Sequence, residues 1–230
     1  RATLPKFGVE VVFVDTSDPE RVAAAVRPGA RLVYVETPLN PILRLTDIAA
    51  VAAIAHAAGA DLAVDATWAT PLATRPLDLG ADWVIHSLTK YLAGHGDTLG
   101  GAVLGDADRI AALKEDARIH QGGVLSPFEA WLTMRGLDTL PLRMAAHEAS
   151  ALAVARFLEG HPAVERVFYP GLTDGPHAHP GAAALVGEGR QMRAGGGMVS
   201  FIPRGGERRA IAIAEATRLF TLAESLGGVE

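Results

Sequence analysis

The sequence has no cysteine, very little lysine and no long uninterrupted apolar run. Without cysteine no disulfide framework can form, which suits a reducing compartment, and we expect a cytoplasmic protein. The most apolar stretch, residues 48–64, is interrupted by His56, Gly59 and Asp61. This stretch is too short and too polar to cross a bilayer, so we expect no membrane-spanning segment.

Several classes of partner are disfavoured by what the chain does contain. Hydrophobic residues make up 49% and charged residues 20%, as in an ordinary globular protein, and the net charge is −5. This negative balance argues against nucleic acid or an anionic membrane as a partner. The glycine-rich stretch after residue 94 matches neither G-x-x-x-x-G-K-[ST] nor G-x-G-x-x-G, so a nucleotide loop is disfavoured. His177 and His179 have a spacing that would suit a metal, but no third ligand is evident; we expect a polar loop and no metal.

One of the few lysines, Lys90, stands in an unusual setting. Lysine occurs only three times in the chain, against 18 arginines. Lys90 follows an apolar run at residues 83–85, typical of a buried strand, and is bracketed by Ser87, Thr89 and a glycine-rich turn at residues 94–96. Arginine cannot deprotonate in a protein, whereas a desolvated lysine can act as a Schiff-base nucleophile. The use of lysine here indicates a reactive amine, the alternative being an ordinary surface ion pair.

A second candidate, Asp65, ends the short apolar stretch at residues 61–65. Open α/β sheets place ligand-binding groups at the carboxyl ends of parallel strands. A carboxylate that pairs with a pyridinium nitrogen, together with a lysine that forms a Schiff base, is the protein's contribution to pyridoxal-phosphate chemistry. Taken alone, Asp65 is as well explained as a cap of the next turn. The order of Asp65 and Lys90, each at a strand end, favours a pyridoxal 5′-phosphate site.

Two stretches of the sequence resemble the signatures of a known enzyme family. Residues 64–71 read VDATWATP, and residues 86–97 read HSLTKYLAGHGD. Further matching blocks follow in the family's order at residues 36–41 (ETPLNP), 125–131 (LSPFEAW), 134–137 (MRGL) and 225–230 (SLGGVE). The chain is therefore identified as a member of the Cys/Met-metabolism (trans-sulfuration) family of pyridoxal-phosphate-dependent enzymes. That family contains cystathionine γ-synthases, cystathionine γ-lyases and methionine γ-lyases.

The resemblance implies roles for four polar residues around the lysine. Lys90 would be the catalytic lysine that forms the Schiff base with the cofactor. Asp65 would pair with the pyridine nitrogen and keep it protonated, which makes the ring a better electron sink. Ser87 and Thr89 would bind the cofactor phosphate; the alternative is a turn whose hydroxyls cap local backbone.

Three more residues match family positions near the cofactor or the substrate. Asn40 would lie near the cofactor's ring oxygen and the substrate carboxylate, although an Asn flanked by prolines is usually a turn residue. Thr67 would touch the ring face or close its own turn, and Ser225 would lie beside the substrate carboxylate. One departure stands next to Asp65: Ala66 occupies a position where the family most often has Asn, so a hydrogen-bonding side chain is lost there.

The order of patterns along the chain predicts the fold and its division. Strand-like stretches at residues 9–14, 32–36, 62–65 and 83–86 alternate with helical patterns. Such alternation predicts an α/β fold with a mostly parallel sheet covered by helices. The resemblance implies a fold-type-I (aspartate-aminotransferase-like) transferase, with helices on both faces of the sheet. We expect residues 1–145 to form part of the large cofactor-binding domain and residues 146–230 to begin a smaller α+β domain, with the boundary inside a long helix.

The resemblance also implies an activity and an assembly. The expected reaction is γ-elimination or γ-replacement on sulfur-containing or homoserine-derived amino acids, through Schiff-base and carbanion intermediates. The partners would be a small-molecule amino-acid substrate and further copies of the chain in a homotetramer. Two alternatives remain open: an aminotransferase of the same fold, and a non-catalytic piece that binds the cofactor poorly. The sequence does not choose between γ-synthase, γ-lyase and sulfhydrylase.

The two ends of the chain carry one more expectation. The sequence opens at Arg1 without a methionine and stops at Glu230 inside a family motif. We therefore expect an internal fragment of a longer protein that lacks part of the cofactor site.

Overall fold

The largest sheet of the molecule has four strands in the order β1–β2–β3–β4. The computed structural model describes residues 3–229; Arg1, Ala2 and Glu230, the last residue of the 225–230 motif, lie outside that range. The strands are β1 (Leu32–Glu36), β2 (Asp61–Asp65), β3 (Trp83–Ser87) and β4 (Gly101–Gly105). Strands β1 to β3 run parallel, and β4 runs antiparallel to β3. The expected mostly parallel sheet is confirmed, with the bounds of β1, β2 and β3 within one residue of prediction.

The register of β2 aligns the carboxyl ends of three strands. Asp65 stands opposite Glu36 of β1 on one side and Ile85 of β3 on the other. Backbone hydrogen bonds continue just past the ladder, from the Thr37 amide to the Asp65 carbonyl (3.1 Å) and from the Ala66 amide to the Ile85 carbonyl (3.0 Å). Because the strands are parallel, the residues after each strand are held side by side at one edge of the sheet.

Helices alternate with the strands along the chain. In the described part of the chain they are α1 (Pro19–Ala25), α2 (Ile48–Ala57), α3 (Thr70–Ala73), α4 (Ala107–Lys114), α5 (Pro127–Asp138), α6 (Leu140–Glu159), α7 (Ala182–Leu185) and α8 (Gly206–Ala216). The carboxylates of Asp18 and Asp47 accept hydrogen bonds from first-turn amides of α1 and α2, as expected for N-caps. Among residues 3–229 no helix combines the length and apolarity that crossing a bilayer requires.

The main core lies between α2 and one face of the sheet. Its members include Val33, Val35, Leu62, Val64 and Val84 of the strands, with Ile48, Val51, Ala52 and Ala55 of α2. Residues spaced by three and four share one face of a helix, and alternate residues share one face of a strand. Asp65 follows Val64 directly, so its side chain leaves the sheet on the face away from this core.

A second, two-stranded sheet follows the long helix α6. Strands β5 (Val164–Phe168) and β6 (Ser200–Pro203) pair antiparallel. They pack with α6 around a separate buried cluster that includes Ala155, Val167 and Tyr169. The expected boundary between residues 145 and 146 falls inside α6. The division into two domains stays a prediction.

One sequence prediction is wrong: residues 9–14 do not form a strand. Their alternation of apolar residues indicates a strand, but a strand needs a hydrogen-bonded neighbour, and within residues 3–229 no strand pairs with this segment. Val9, Val11 and Val12 are 45%, 36% and 49% exposed. Apolar composition alone therefore does not make this segment a core element of the described structure.

Replacing Leu62 by alanine is expected to lower the free energy of unfolding by about 3 kcal/mol, because it removes core contacts and leaves a cavity. Leu62 is 0% exposed, whereas Leu32 on the neighbouring strand is 53% exposed. Leu32→Ala is therefore the matched control and should cost about 0.5 kcal/mol or less. Urea unfolding followed by circular dichroism measures both variants. Equal losses would contradict the placement of the core.

Candidate active site

The candidate site lies at the carboxyl edge of the sheet, where β2 and β3 end. Asp65 is the last residue of β2 and Ser87 is the last residue of β3. The lysine-bearing turn follows β3 without a linker, as a π-helical turn at Leu88–Leu92. The predicted strand-end positions of Asp65 and of the lysine turn are thus both found at this edge.

The Asp65 carboxylate is held by two donors. Its Oδ1 accepts a hydrogen bond from the backbone amide of Thr67 (3.0 Å), and its Oδ2 accepts one from the Tyr34 hydroxyl (3.2 Å). Tyr34 lies on β1, and partial burial together with the neighbouring Asp65 raises the pKa of its hydroxyl to about 12. Tyr34 therefore stays a neutral donor at physiological pH. Sequence reasoning missed Tyr34, because nothing in a lone tyrosine indicates a contact 31 residues away.

Thr67 connects the ends of the two strands. Its hydroxyl accepts a hydrogen bond from the Ser87 amide at 2.8 Å, and its own amide donates to Asp65. The side chain is 5% exposed. The backbone amide of Thr67 thus closes the turn after Asp65, and its hydroxyl ties that turn to the start of the lysine segment. Contact between Thr67 and a cofactor ring stays a prediction.

Lys90 stands at a break in the helical path of its turn. Its backbone angles are φ −92° and ψ −132°, which are not helical. Its Nζ donates to the Ser225 hydroxyl at 3.3 Å, so the segment near residue 225 lies over the lysine. A Cβ on Gly227 would come within 2.7 Å of the Tyr91 amide nitrogen, and only glycine allows this close approach. The structure thus brings together Lys90 and Ser225, which are 135 residues apart in sequence; contact of Ser225 with a substrate carboxylate stays a prediction.

The two hydroxyls beside the lysine have different surroundings. The Thr89 hydroxyl accepts from the Gly100 amide at 3.1 Å and donates to the Gly100 carbonyl at 3.4 Å. The Ser87 hydroxyl makes no hydrogen bond within residues 3–229 and is half-buried. Ser87 is thus available to a ligand, whereas Thr89 is engaged with local backbone, which was the alternative interpretation for both hydroxyls.

Within residues 3–229 the hydrogen bond that links Asn40 to this cluster goes to Glu36. The backbone amide of Asn40 donates to the Glu36 carboxylate at 3.3 Å, and the Asn40 side chain is exposed. Burial raises the pKa of Glu36, and the nearby charge of Asp65 raises it further. Glu36 is a second acidic group at the edge, which sequence reasoning did not single out.

The histidines have roles in packing and backbone contacts. His86 is 3% exposed, and its Nδ1 has no partner within the described residues; burial lowers its pKa. The Val167 amide donates to His177 Nδ1 at 3.2 Å, and His179 Nε2 lies 3.2 Å from the Ile42 carbonyl. Within residues 3–229 no three potential ligands are grouped as a metal site would need.

The sheet edge thus carries both a carboxylate and a lysine, the groups that a protein contributes to pyridoxal-phosphate chemistry. Residues 1–230 match the family described as Cys/Met metabolism PLP-dependent enzyme. The chain belongs to this family, which confirms the resemblance, the expected fold class and the expected pyridoxal-phosphate cofactor.

Similar proteins cover several activities of the family. The chain is 45% identical over 227 residues to a cystathionine gamma-lyase of Bacillus subtilis, covering 99% of this chain and 58% of that protein. It is 45% identical over 230 residues to an L-methionine gamma-lyase of Treponema denticola, covering 99% of this chain and 56% of that protein. The crystal structure of a cystathionine gamma synthase from Xanthomonas oryzae pv. oryzae, in complex with aminoacrylate and cysteine, is 43% identical with a TM-score of 0.90. That alignment covers 100% of this chain and 57% of that one, so the chain spans a little over half the length of these relatives.

The donor set at the edge fits pyridoxal phosphate. Asp65 offers a carboxylate for a protonated ring nitrogen, and Ser87 offers a hydroxyl without a partner in the described residues. Among residues 3–229 the Lys90 amine is held by a neutral hydroxyl and forms no ion pair with a carboxylate. Contact of each predicted residue with the cofactor stays a prediction.

Replacing Thr67 by valine is expected to lower the free energy of unfolding by about 1–3 kcal/mol, because the Ser87 amide loses its acceptor in a buried place. Valine keeps the shape of threonine, so the missing oxygen is the only large change. Thr67→Ser retains the hydroxyl and is the control. Chemical unfolding gives the energies, and faster hydrogen exchange at the Ser87 amide locates the effect. A Thr67→Val variant as stable as Thr67→Ser would contradict the importance of this hydrogen bond.

Proposed function

We propose that the protein containing this chain is a pyridoxal-phosphate-dependent enzyme that breaks or forms a bond at the γ-carbon of an amino acid. The substrates would be sulfur-containing or homoserine-derived amino acids. The observation that supports this most is the pair Asp65 and Lys90 at the ends of β2 and β3, in a chain about 45% identical to γ-lyases. The choice between elimination and replacement stays open in this proposal.

Asp65 and Lys90 divide the proposed proton chemistry. Bound pyridoxal phosphate supplies an electron sink for negative charge at the substrate α-carbon. The Lys90 amine holds the cofactor at rest and, once displaced by the substrate amine, removes the α-proton as a general base. Asp65 keeps a proton on the ring nitrogen, and the donors Tyr34 and the Thr67 amide hold its carboxylate in place.

The remaining residues bind the cofactor and orient the substrate. The Ser87 hydroxyl donates to the cofactor phosphate, and Thr89 contributes a second hydroxyl once it leaves the Gly100 carbonyl. Ser225 lies next to the Lys90 amine and is suited to contact the substrate carboxylate. Asn40 contributes an exposed amide near Glu36, for the cofactor ring oxygen or the same carboxylate.

We infer further that residues 1–145 are part of the cofactor-binding domain and that residues 146–230 begin the smaller one. The protein acts in the cytoplasm. It assembles as a homotetramer, for which size-exclusion chromatography with light scattering gives a direct mass.

Product analysis tests the proposed function. The purified protein, loaded with pyridoxal phosphate, should release ammonia and an oxo acid from cystathionine or methionine, or join an activated homoserine to cysteine. Borohydride reduction should fix the cofactor to Lys90, as read by peptide mapping. Label on Lys6 or Lys114 would refute the assignment of Lys90. Amino transfer to an oxo acid without change at the γ-carbon would instead indicate an aminotransferase.

Replacing Asp65 by asparagine should slow exchange of the substrate α-proton by about 100-fold, about 3 kcal/mol in the barrier. The change keeps the size of the side chain but removes the charge that stabilises a protonated ring. Covalent capture of the cofactor should survive. Deuterium uptake followed by NMR measures the exchange. Asp61→Asn, at the other end of the same strand, is the control and should leave exchange unchanged. Normal exchange in Asp65→Asn would mean that another group holds the ring nitrogen.

A further inference from the structure

Arg143 of α6 places a guanidinium beside the lysine turn, and none of the roles above uses it. The residue is 9% exposed. Its Nη1 donates to the Tyr91 carbonyl at 2.7 Å, and its Nη2 donates to the Leu92 carbonyl at 3.3 Å. Tyr91 and Leu92 directly follow Lys90 in the chain. The guanidinium therefore holds the two peptide units that come after the candidate catalytic lysine.

The same guanidinium also holds the neighbouring helix. Its Nη2 donates to the Gly136 carbonyl of α5 at 2.7 Å, and its Nε donates to the Thr139 hydroxyl at 3.0 Å. Arg143 thus joins the lysine turn to the end of α5 and to the start of α6. A planar group with five donors can serve four acceptors at once, whereas a lysine ammonium has three donors on one atom.

The turn, Arg143 and α5 are packed so closely that two positions have room for no side chain. A Cβ on Gly94 would overlap the guanidinium, and a Cβ on Gly136 would overlap the Ala93 carbonyl. Gly94 also has φ +73°, a left-handed conformation that glycine adopts without strain. Its amide donates to the Lys90 carbonyl at 2.9 Å. The Lys90 peptide is therefore held from the Gly94 side as well as through the next two carbonyls.

The charge of Arg143 is compensated by backbone dipoles. Burial lowers its pKa, but a guanidinium remains charged at physiological pH. Within residues 3–229 no carboxylate forms an ion pair with it. A buried charge that binds only neutral acceptors depends on all of them being in place, because each lost hydrogen bond leaves desolvation uncompensated. Movement of the lysine turn away from Arg143 is accordingly costly.

We propose that Arg143 is a positioning residue that fixes the Lys90 turn and so aims the lysine amine at the cofactor carbonyl. This inference rests on the proposed function, since it presupposes that Lys90 captures a cofactor. The side chain itself touches neither the lysine amine nor the Asp65 carboxylate in the contacts described. Its effect passes through the backbone at Tyr91 and Leu92.

The test separates capture by Lys90 from binding of the cofactor's phosphate and ring. Arg143→Met removes the donors, Arg143→Lys keeps the charge, and Arg156→Met is the control on the same helix. Arg156 is surface-exposed and pairs with Glu159 and Asp174. The probes are pyridoxal phosphate, whose fixation to Lys90 is followed by borohydride reduction, and pyridoxine 5′-phosphate, whose alcohol cannot react with a lysine. Hydrogen exchange at the Gly94 amide reports on the turn in the cofactor-free protein.

In Arg143→Met, capture of pyridoxal phosphate should slow by about tenfold or more, because the amine is misplaced. Affinity for pyridoxine 5′-phosphate should stay within about threefold of wild type, and the Gly94 amide should exchange faster. Arg143→Lys should be intermediate, and Arg156→Met should match wild type. If Arg143→Met does not fold, Thr139→Val removes the acceptor of Nε, together with the hydrogen bond from Thr139 to the Gly136 carbonyl, and should still slow capture without loss of analogue binding.

Two results would overturn the inference. Equal losses of capture and analogue binding would make Arg143 a support of the whole pocket, and unchanged capture would remove any role in positioning. A wild-type protein that binds the analogue but never bonds to the cofactor at Lys90 would refute the proposed function first, and this inference with it. The wild-type labelling result therefore distinguishes the two failures.

Discussion

The parallel pairing of β2 with β3 is the constraint on which the site depends. Asp65 stands opposite Ile85, so the carboxylate and the lysine turn leave the sheet at the same edge. A slip of one residue would send the Asp65 side chain into the core beside α2. The hydrogen bond between the Thr67 hydroxyl and the Ser87 amide extends this pairing beyond the last ladder position. The register of the sheet therefore determines the geometry of the site.

The charges at this edge suit a ring that carries a proton. Asp65 is held by neutral donors, Tyr34 and the Thr67 amide, and among residues 3–229 no cationic side chain forms an ion pair with it. Glu36 adds a second acidic group, whose pKa is raised by burial and by Asp65. The guanidinium of Arg143 binds the backbone carbonyls of the lysine turn. In the proposed function the acidic groups serve the ring nitrogen, and Arg143 acts on the turn that carries the amine.

The sequence predicted those features of the fold that depend on residues close together in the chain. Strand ends at Asp65 and Ser87 follow from short apolar runs, and the family resemblance singled out Lys90 and Ser225 separately, which the structure joins by a hydrogen bond. The contacts of Tyr34 with Asp65 and of Arg143 with Tyr91 were not predicted. The partners are 31 and 52 residues apart in sequence, so only the folded structure shows that they meet. The strand prediction for residues 9–14 was wrong for the opposite reason. The apolar alternation of these residues is local, but a strand also needs a neighbouring strand from elsewhere in the chain to pair with.

A crystal structure of the protein with pyridoxal phosphate tests the central claim most directly, namely that Asp65 and Lys90 act on one cofactor molecule. We predict continuous electron density from the Lys90 amine to the cofactor, and an Asp65 oxygen within about 3 Å of the ring nitrogen. The phosphate should lie against the Ser87 hydroxyl. Density that joins the cofactor to another lysine, or a ring nitrogen that faces a group other than Asp65, would contradict the account.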